Sequence, residues 1–187
     1  MEKVKEELRE LEKRMKFSVE HFRRELGKLR TGRANLSIFE DMKIDYYGTQ
    51  TPINQIATLG IPEATLITVQ PYDPTSLEAI EKAIRAADLG FNPVNDGKML
   101  KIPVPPLDEE RRKELAKYIR KMLEEERTAL RNMRRETKET IEQLEKDKEI
   151  TEDDKYRGLD QLQDLMDEYT KKAEELAKQK EKEILEI

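Results

Sequence analysis

Residues 108–146 read DEERRKELAKYIRKMLEEERTALRNMRRETKETIEQLEK, and this stretch decides the fold. It contains neither proline nor glycine, and its apolar residues recur at spacings that place them on one face of a helix. These residues are Leu115, Ile119, Met122, Leu130, Met133, Ile141 and Leu144. Asp108 is a suitable N-cap, and Glu109 and Glu110 suit a first helical turn. The stretch therefore predicts one helix of roughly 55–60 Å, at about 1.5 Å per residue.

Similar apolar stripes lie on both sides of this stretch. The first covers residues 1–30 and comprises Val4, Leu8, Leu11, Met15, Val19, Phe22, Leu26 and Leu29. The other follows Thr151, a candidate N-cap, and comprises Leu159, Leu162, Met166, Tyr169, Ala173, Leu176 and Ile184. Because so narrow a stripe does not stabilise a helix by itself, we expect the three helices to bury their stripes against one another in an elongated bundle.

Residues 31–107 differ in composition, since all eight prolines and five of the seven glycines lie there. Alternating apolar residues at 42–46 and 100–104 and a β-branched run at 65–70 predict at least three strands. One helix is expected between Asp73 and Gly90. The sequence therefore predicts an α+β fold, in which residues 31–105 form a small, β-rich, sandwich-like α/β domain inserted into a three-helix bundle of 1–30 plus 106–187.

Two short connections join the predicted insert to the bundle. One contains Arg30, Thr31, Gly32 and Arg33, and the other is the Pro105-Pro106 pair. Glycine permits large changes of backbone conformation, whereas proline fixes its own φ. The two connections are therefore predicted to form a hinge.

The composition excludes several classes of protein. The chain has 41% charged and 36% hydrophobic residues and no cysteine, so disulfides and thiolate metal sites are excluded. The single histidine, His21, cannot form a catalytic triad or a metal site by itself, and no phosphate-binding glycine loop is present. No apolar run reaches about 18 residues. We therefore expect a soluble, cytoplasmic protein that is not an enzyme, has no cofactor or metal and does not bind membranes.

The second helix carries a row of charged residues at alternating four- and three-residue intervals. This basic row comprises Lys113, Lys117, Arg120, Glu124, Arg127, Arg131, Arg134 and Lys138, of which seven are basic. At about 100° per residue the row lies roughly 85° from the apolar stripe, so it is expected to face solvent. Two interpretations carry equal weight: a solvated face balanced by nearby glutamates, or a phosphate-binding surface. Since the row itself contains no aromatic residue, the second interpretation favours structured RNA contacted through its backbone.

Several separated motifs resemble those of the ribosome recycling factor family. They are LRTGRA at 29–34, YYGTQTPINQIA at 46–57, IEKAI and ADLGFNP within 80–93, IPVPPLDEERRKEL at 102–115, RNMRRE at 131–136 and KDKEITEDD at 146–154. The resemblance spans nearly the whole chain in the family's order. It implies an L-shaped molecule resembling transfer RNA, whose bundle lies along large-subunit ribosomal RNA. It also implies that Arg131 and Arg134 contact that RNA.

The family resemblance implies a function in translation. We expect the chain, as a monomer, to bind the post-termination ribosome between its subunits. With elongation factor G and GTP, it would promote subunit dissociation and release from mRNA, the smaller domain contacting elongation factor G. Glu124 interrupts the basic row, so the predicted RNA site is Arg127, Arg131, Arg134 and Lys138. The alternative is a coiled-coil-like scaffold or chaperone that holds protein partners in the grooves of its bundle.

Overall fold

The computed structural model describes residues 1–185, which form two compact units. Of the described residues, one unit comprises Met1–Leu26 and 113–185, and the other comprises Gly27–Arg112. The chain thus passes between the units a few residues outside the predicted positions, 30/31 and 105/106. All the predicted hinge residues belong to the smaller unit.

The larger unit is built from three long helices. These are α1 (Glu2–Gly27), α4 (Glu109–Lys146) and α5 (Glu152–Leu185). Helix α4 has 38 residues, so it is about 57 Å long at 1.5 Å per residue. The predicted N-caps are present, because Asp108 Oδ1 accepts a hydrogen bond from Arg111 N at 2.7 Å and Thr151 Oγ1 accepts one from Asp154 N at 3.2 Å. The prediction of three long helices is confirmed.

The core of the larger unit combines the three predicted apolar stripes. Its buried residues are Val4, Leu8, Leu11, Met15, Val19, Leu130, Ile141, Ile150, Leu162 and Tyr169. Each fully buried aliphatic side chain contributes about 1.5–3 kcal/mol relative to an exposed one. Gly158 allows α5 to approach α1 closely, since a Cβ at this position would lie 2.6 Å from Val4 Cγ1. The bundle is therefore held by its shared core.

The smaller unit contains two antiparallel sheets and one longer helix. Strands β1 (Lys43–Tyr46) and β2 (Thr49–Pro52) form a hairpin. A short helix, α2 (Ile53–Ile56), leads into the four-stranded sheet, whose order is β3-β4-β6-β5. The remaining elements are β3 (Ala57–Glu63), β4 (Leu66–Pro71), α3 (Leu77–Ala86), β5 (Val94–Asn95) and β6 (Leu100–Pro103). The predicted α+β class is confirmed.

The smaller unit has its own core, formed between its sheets and α3. The core includes Phe39, Ile44, Ile53, Ile67, Val69, Ile80, Ile84, Leu100 and Ile102. Helix α3 begins three residues after the predicted start because Pro74–Ser76 forms a 3-10 turn, which Asp73 caps by accepting from Thr75 N at 3.0 Å. This separate core makes the insert compact in its own right.

Candidate nucleic-acid interface

The basic row of α4 runs beside α5. Arg120 Nε donates to Glu181 Oε1 at 2.8 Å, and Arg127 Nη2 donates to Glu174 Oε1 at 2.5 Å. Both acceptors belong to α5. Because the row lies next to a neighbouring helix, the roles of its arginines depend on which side chains α5 presents.

A groove lies between α4 and α5 at the middle of the row. Its volume is about 380 Å³, and this α4–α5 groove is lined by Arg127, Arg131 and Arg134 of α4 and by Gln163, Met166, Asp167 and Thr170 of α5. Three of the four predicted RNA-binding residues thus share one groove. Lys138 is not among the lining residues, and its ammonium lies 3.6 Å from Glu142 Oε1.

The charge of Arg127 is the most strongly compensated in the groove. Its guanidinium donates to Glu174 Oε1 and also to Glu124 Oε1. These hydrogen bonds, first that to Glu174 and then that to Glu124, raise the pKa of Arg127. The Arg127 side chain is 32% exposed, compared with 59% for Arg131. Arg127 therefore connects α4 to α5 through Glu174.

Arg131 and Arg134 are less compensated. Arg131 Nη2 donates to Thr128 Oγ1 at 3.2 Å, and its distance to Glu124 Oε2 is 4.0 Å. Arg134 is half-buried, and its Nε is a buried donor with no hydrogen-bond partner. A buried polar group without a partner costs roughly 1–3 kcal/mol. The groove therefore contains a donor that needs an acceptor.

The unpaired polar atoms are concentrated in this groove. Within residues 1–185, three buried side-chain polar atoms have no hydrogen-bond partner: Arg112 Nε, Arg134 Nε and Thr170 Oγ1. Two of the three line the α4–α5 groove. Each comes from a different helix, so both wall helices present an unpaired polar atom.

The sequence did not predict the α5 side of the groove. The prediction of α5 rests on its apolar stripe alone, which includes Met166. Gln163, Asp167 and Thr170 are spaced by four and three residues and therefore lie on one helical face. Gln163 Nε2 donates to Asp167 Oδ1 at 2.8 Å. The spacing could have predicted this polar face of α5. That the face lies beside the basic row could not be predicted, because this depends on how α4 and α5 are rotated about their axes.

The remaining candidate groups do not form a second site. The His21 side chain is 65% exposed, and its Nε2 lies 3.9 Å from Glu25 Oε1. Across the described chain, no group of histidine and acidic residues is arranged to hold a metal ion. None of the helices described is both long and apolar enough to cross a membrane.

Comparison with known proteins identifies the relatives of this chain. The model of the family described as "Ribosome recycling factor" matches residues 22–185. A ribosome-recycling factor from Oleidesulfovibrio alaskensis is 50% identical over 180 residues, covering 96% of this chain and 98% of the relative. One from Thermomicrobium roseum is 49% identical over 184 residues, covering 98% of this chain and 100% of the relative.

Two solved structures have the same fold. A solution structure of a ribosome recycling factor matches with a TM-score of 0.85 and 42% identity, and covers 100% of both chains. The second concerns the T. thermophilus ribosome recycling factor and E. coli elongation factor G bound to the E. coli post-termination complex. It matches with a TM-score of 0.70 and 44% identity, covering 97% of this chain and 98% of the other.

Proposed function

The chain belongs to the ribosome recycling factor family, and from this we propose that it binds the post-termination ribosome between the subunits. With elongation factor G and GTP, it promotes dissociation of the subunits and release from mRNA. The chain itself catalyses no covalent step, and it acts as a monomer in the cytoplasm. The observation that carries this proposal is the α4–α5 groove, where two arginines lack full compensation.

Ribosomal RNA phosphates are the proposed ligands of this groove. A phosphate oxygen accepts charge-assisted hydrogen bonds from guanidinium groups, and such bonds are about twice as strong as neutral ones. Arg134 Nε has no other acceptor, and the exposed guanidinium of Arg131 lines the same groove. We therefore assign the main RNA contact to Arg131 and Arg134. Arg127, compensated by two carboxylates, and Lys138, outside the groove, contribute less.

The smaller unit is the proposed contact for elongation factor G. Its exposed large apolar side chains include Tyr47, Ile61 and Tyr72, which are 79%, 44% and 68% exposed. Exposed aromatic and aliphatic side chains of this kind are typical of surfaces that bind proteins. In this proposal the GTPase pushes on the insert and the bundle transmits the force to the ribosome.

The proposed hinge comprises Arg30, Thr31, Gly32 and Arg33 on one connection and Pro105 and Pro106 on the other. Gly32 has φ +76°, and a Cβ at this position would lie 3.0 Å from Leu107 N. Only glycine fits both the positive φ and the close approach. A side chain there would disturb both connections at once, which supports a role for them as one mechanical element between the domains 1–30 plus 106–187 and 31–105.

A subunit-splitting assay tests the proposal. Light scattering follows 70S ribosomes mixed with the chain, elongation factor G and GTP, and the scattering is expected to fall only when all are present. Arg131→Ala/Arg134→Ala is expected to abolish splitting, because each lost charge-assisted contact removes about 1–3 kcal/mol of binding free energy. Arg9→Ala/Lys13→Ala removes the same charge from the exposed face of α1 and serves as the control.

Two outcomes would overturn the proposal. A folded wild-type chain that neither binds nor splits cognate ribosomes would support the scaffold alternative. If both double variants retained full activity, the basic row would be a solvated face only. Circular dichroism of each variant confirms that its helices are intact.

A further inference from the structure

We infer that the α4–α5 groove holds one RNA phosphodiester between two helices, with Thr170 of α5 as a binding residue beside Arg134 of α4. This inference rests on the proposed function and adds a ligand from the opposite wall of the groove. The observation behind it is that Thr170 Oγ1 and Arg134 Nε are both buried and both without a hydrogen-bond partner, and that the two residues line the same groove. A phosphodiester has two non-bridging oxygens, so it offers an acceptor for each group.

Thr170 behaves differently from comparable threonines in the bundle. A threonine inside a helix commonly donates its hydroxyl to the carbonyl four residues earlier. Thr128 and Thr140 of α4 do so, to Glu124 O at 2.9 Å and Glu136 O at 3.1 Å. Thr170 Oγ1 has no such bond. Its hydroxyl therefore has an unused hydrogen-bond donor, and the β-branched side chain holds it in few orientations.

The charge of the groove suits a single phosphodiester. Its lining has three arginines and one aspartate, a formal net charge of +2. Asp167 accepts a hydrogen bond from Gln163 at 2.8 Å, so this carboxylate already has a partner on its own helix. Glu174 and Glu124 compensate Arg127. The less compensated charge lies at Arg131 and Arg134, on the α4 wall of the groove, whereas Thr170 belongs to the α5 wall.

The test is the affinity of single variants for 70S ribosomes, measured by fluorescence anisotropy of the labelled full chain. Thr170→Val keeps the shape of the side chain and removes the hydroxyl, and Thr170→Ser keeps the hydroxyl. We expect Kd to rise about tenfold for Thr170→Val, as for the loss of a hydrogen bond to a charged group, and to stay within about twofold for Thr170→Ser. Thr140→Val is the matched control, because its hydroxyl bonds to the α4 backbone.

Two further readouts separate a binding role from a structural one. Thr170→Val removes no charge, so the dependence of log Kd on log salt concentration is expected to keep its slope. In the free protein, removal of an unpaired buried hydroxyl is expected to leave the melting temperature unchanged or to raise it. A lower melting temperature would show that the hydroxyl serves the fold, and would overturn the inference.

The remaining outcomes are also decisive. If Thr170→Val binds like the wild type while Arg131→Ala/Arg134→Ala fails, the groove holds water beside Thr170, and the inference falls while the proposed function stands. If Thr170→Ser is as weak as Thr170→Val, side-chain shape and not the hydroxyl matters, and the inference falls again. If every variant, including the double arginine variant, binds normally, the proposed RNA site itself is wrong.

Discussion

Two parts of one basic row have the same residue type but different surroundings. Arg120 and Arg127 meet glutamates of α5, Glu181 and Glu174, whereas Arg131 and Arg134 share a groove with the polar face that contains Thr170. The first pair connects two helices, and the second retains unused donor capacity. The comparison shows that the neighbouring helix, as much as the arginine itself, decides whether the donors of a basic residue find partners within the fold.

The largest change in ribosome affinity is expected when a carboxylate is placed beside Arg131 and Arg134, the open part of the row. Thr170→Glu places a carboxylate on α5 beside the open arginines, as Glu174 already is beside Arg127. The new carboxylate would pair with an arginine and repel phosphate, so we expect ribosome affinity to fall at least about 100-fold, since opposed like charges at an interface cost several kcal/mol. Thermal stability should be equal to or slightly above that of the wild type.

Thr170→Gln is the control for this change, because it has the same size and no charge. It should bind considerably better than Thr170→Glu. Equal affinities of the two variants would show that a negative charge in the groove does not affect binding. This result would contradict the proposed difference between the two parts of the row.

Arg120 and Arg127 form the paired part of the row. Removing a carboxylate partner from this part should raise ribosome affinity, by a smaller factor than the loss above. Glu174→Gln removes one of the two carboxylates that hold Arg127. The positive potential of the groove then rises, and we expect ribosome affinity at low salt to increase about two- to fivefold and this gain to disappear at high salt. Anisotropy titrations at several salt concentrations measure this change. A weaker complex at low salt would mean that the Arg127–Glu174 pair orders the site.

The smallest change is expected when the ion pair between Arg120 and Glu181 is removed, and it concerns the free energy of unfolding. Arg120 is 69% exposed and Glu181 24%, so solvent screens the pair. A double-mutant cycle of Arg120→Ala and Glu181→Ala, followed by urea unfolding, should give a coupling free energy of about 0.2–1 kcal/mol. Ribosome affinity should not change in any of the three variants. A coupling well above this range would require a more buried pair than the structure has.

The sequence was sufficient to predict the long helices. Their apolar stripes have helical spacing, and the buried residues of α1 are the predicted ones from Val4 to Leu26. The end of α1 was predicted less well, because Leu29 continues the pattern while the helix ends at Gly27. Ser37 Cβ lies 3.0 Å from the position of a Gly27 Cβ, and the periodic pattern of 1–30 cannot indicate such a contact with a residue outside that stretch.

In the smaller unit, some strands could be predicted from the sequence and others could not. The three predicted strands correspond to β1, β4 and β6, whose apolar residues alternate or are β-branched. Strand β3 contains Gly60 and Pro62, which usually interrupt strands, and β5 has only two residues. Both are edge strands of the four-stranded sheet, so their position comes from pairing with their neighbours.

Only the α4 side of the candidate site could be predicted from the sequence. The α4 residues followed from their spacing within one helix, but Thr170 is 36 positions from Arg134 along the chain and lines the same groove only because two helices pack. The compensation of Arg127 by Glu174 likewise depends on that packing. Single-sequence periodicity describes one helix at a time, so it cannot rank arginines by the partners that another helix supplies.

The most direct measurement compares Arg134→Ala with Arg120→Ala in binding to 70S ribosomes over a range of salt concentrations. We expect Arg134→Ala to weaken binding about tenfold or more and to lower the slope of log Kd against log salt by about one, as for one lost phosphate contact. Arg120→Ala should have the same affinity and the same salt dependence as the wild type. Equal losses in the two variants, or no loss in either, would contradict the claim that the open part of the row is the RNA contact.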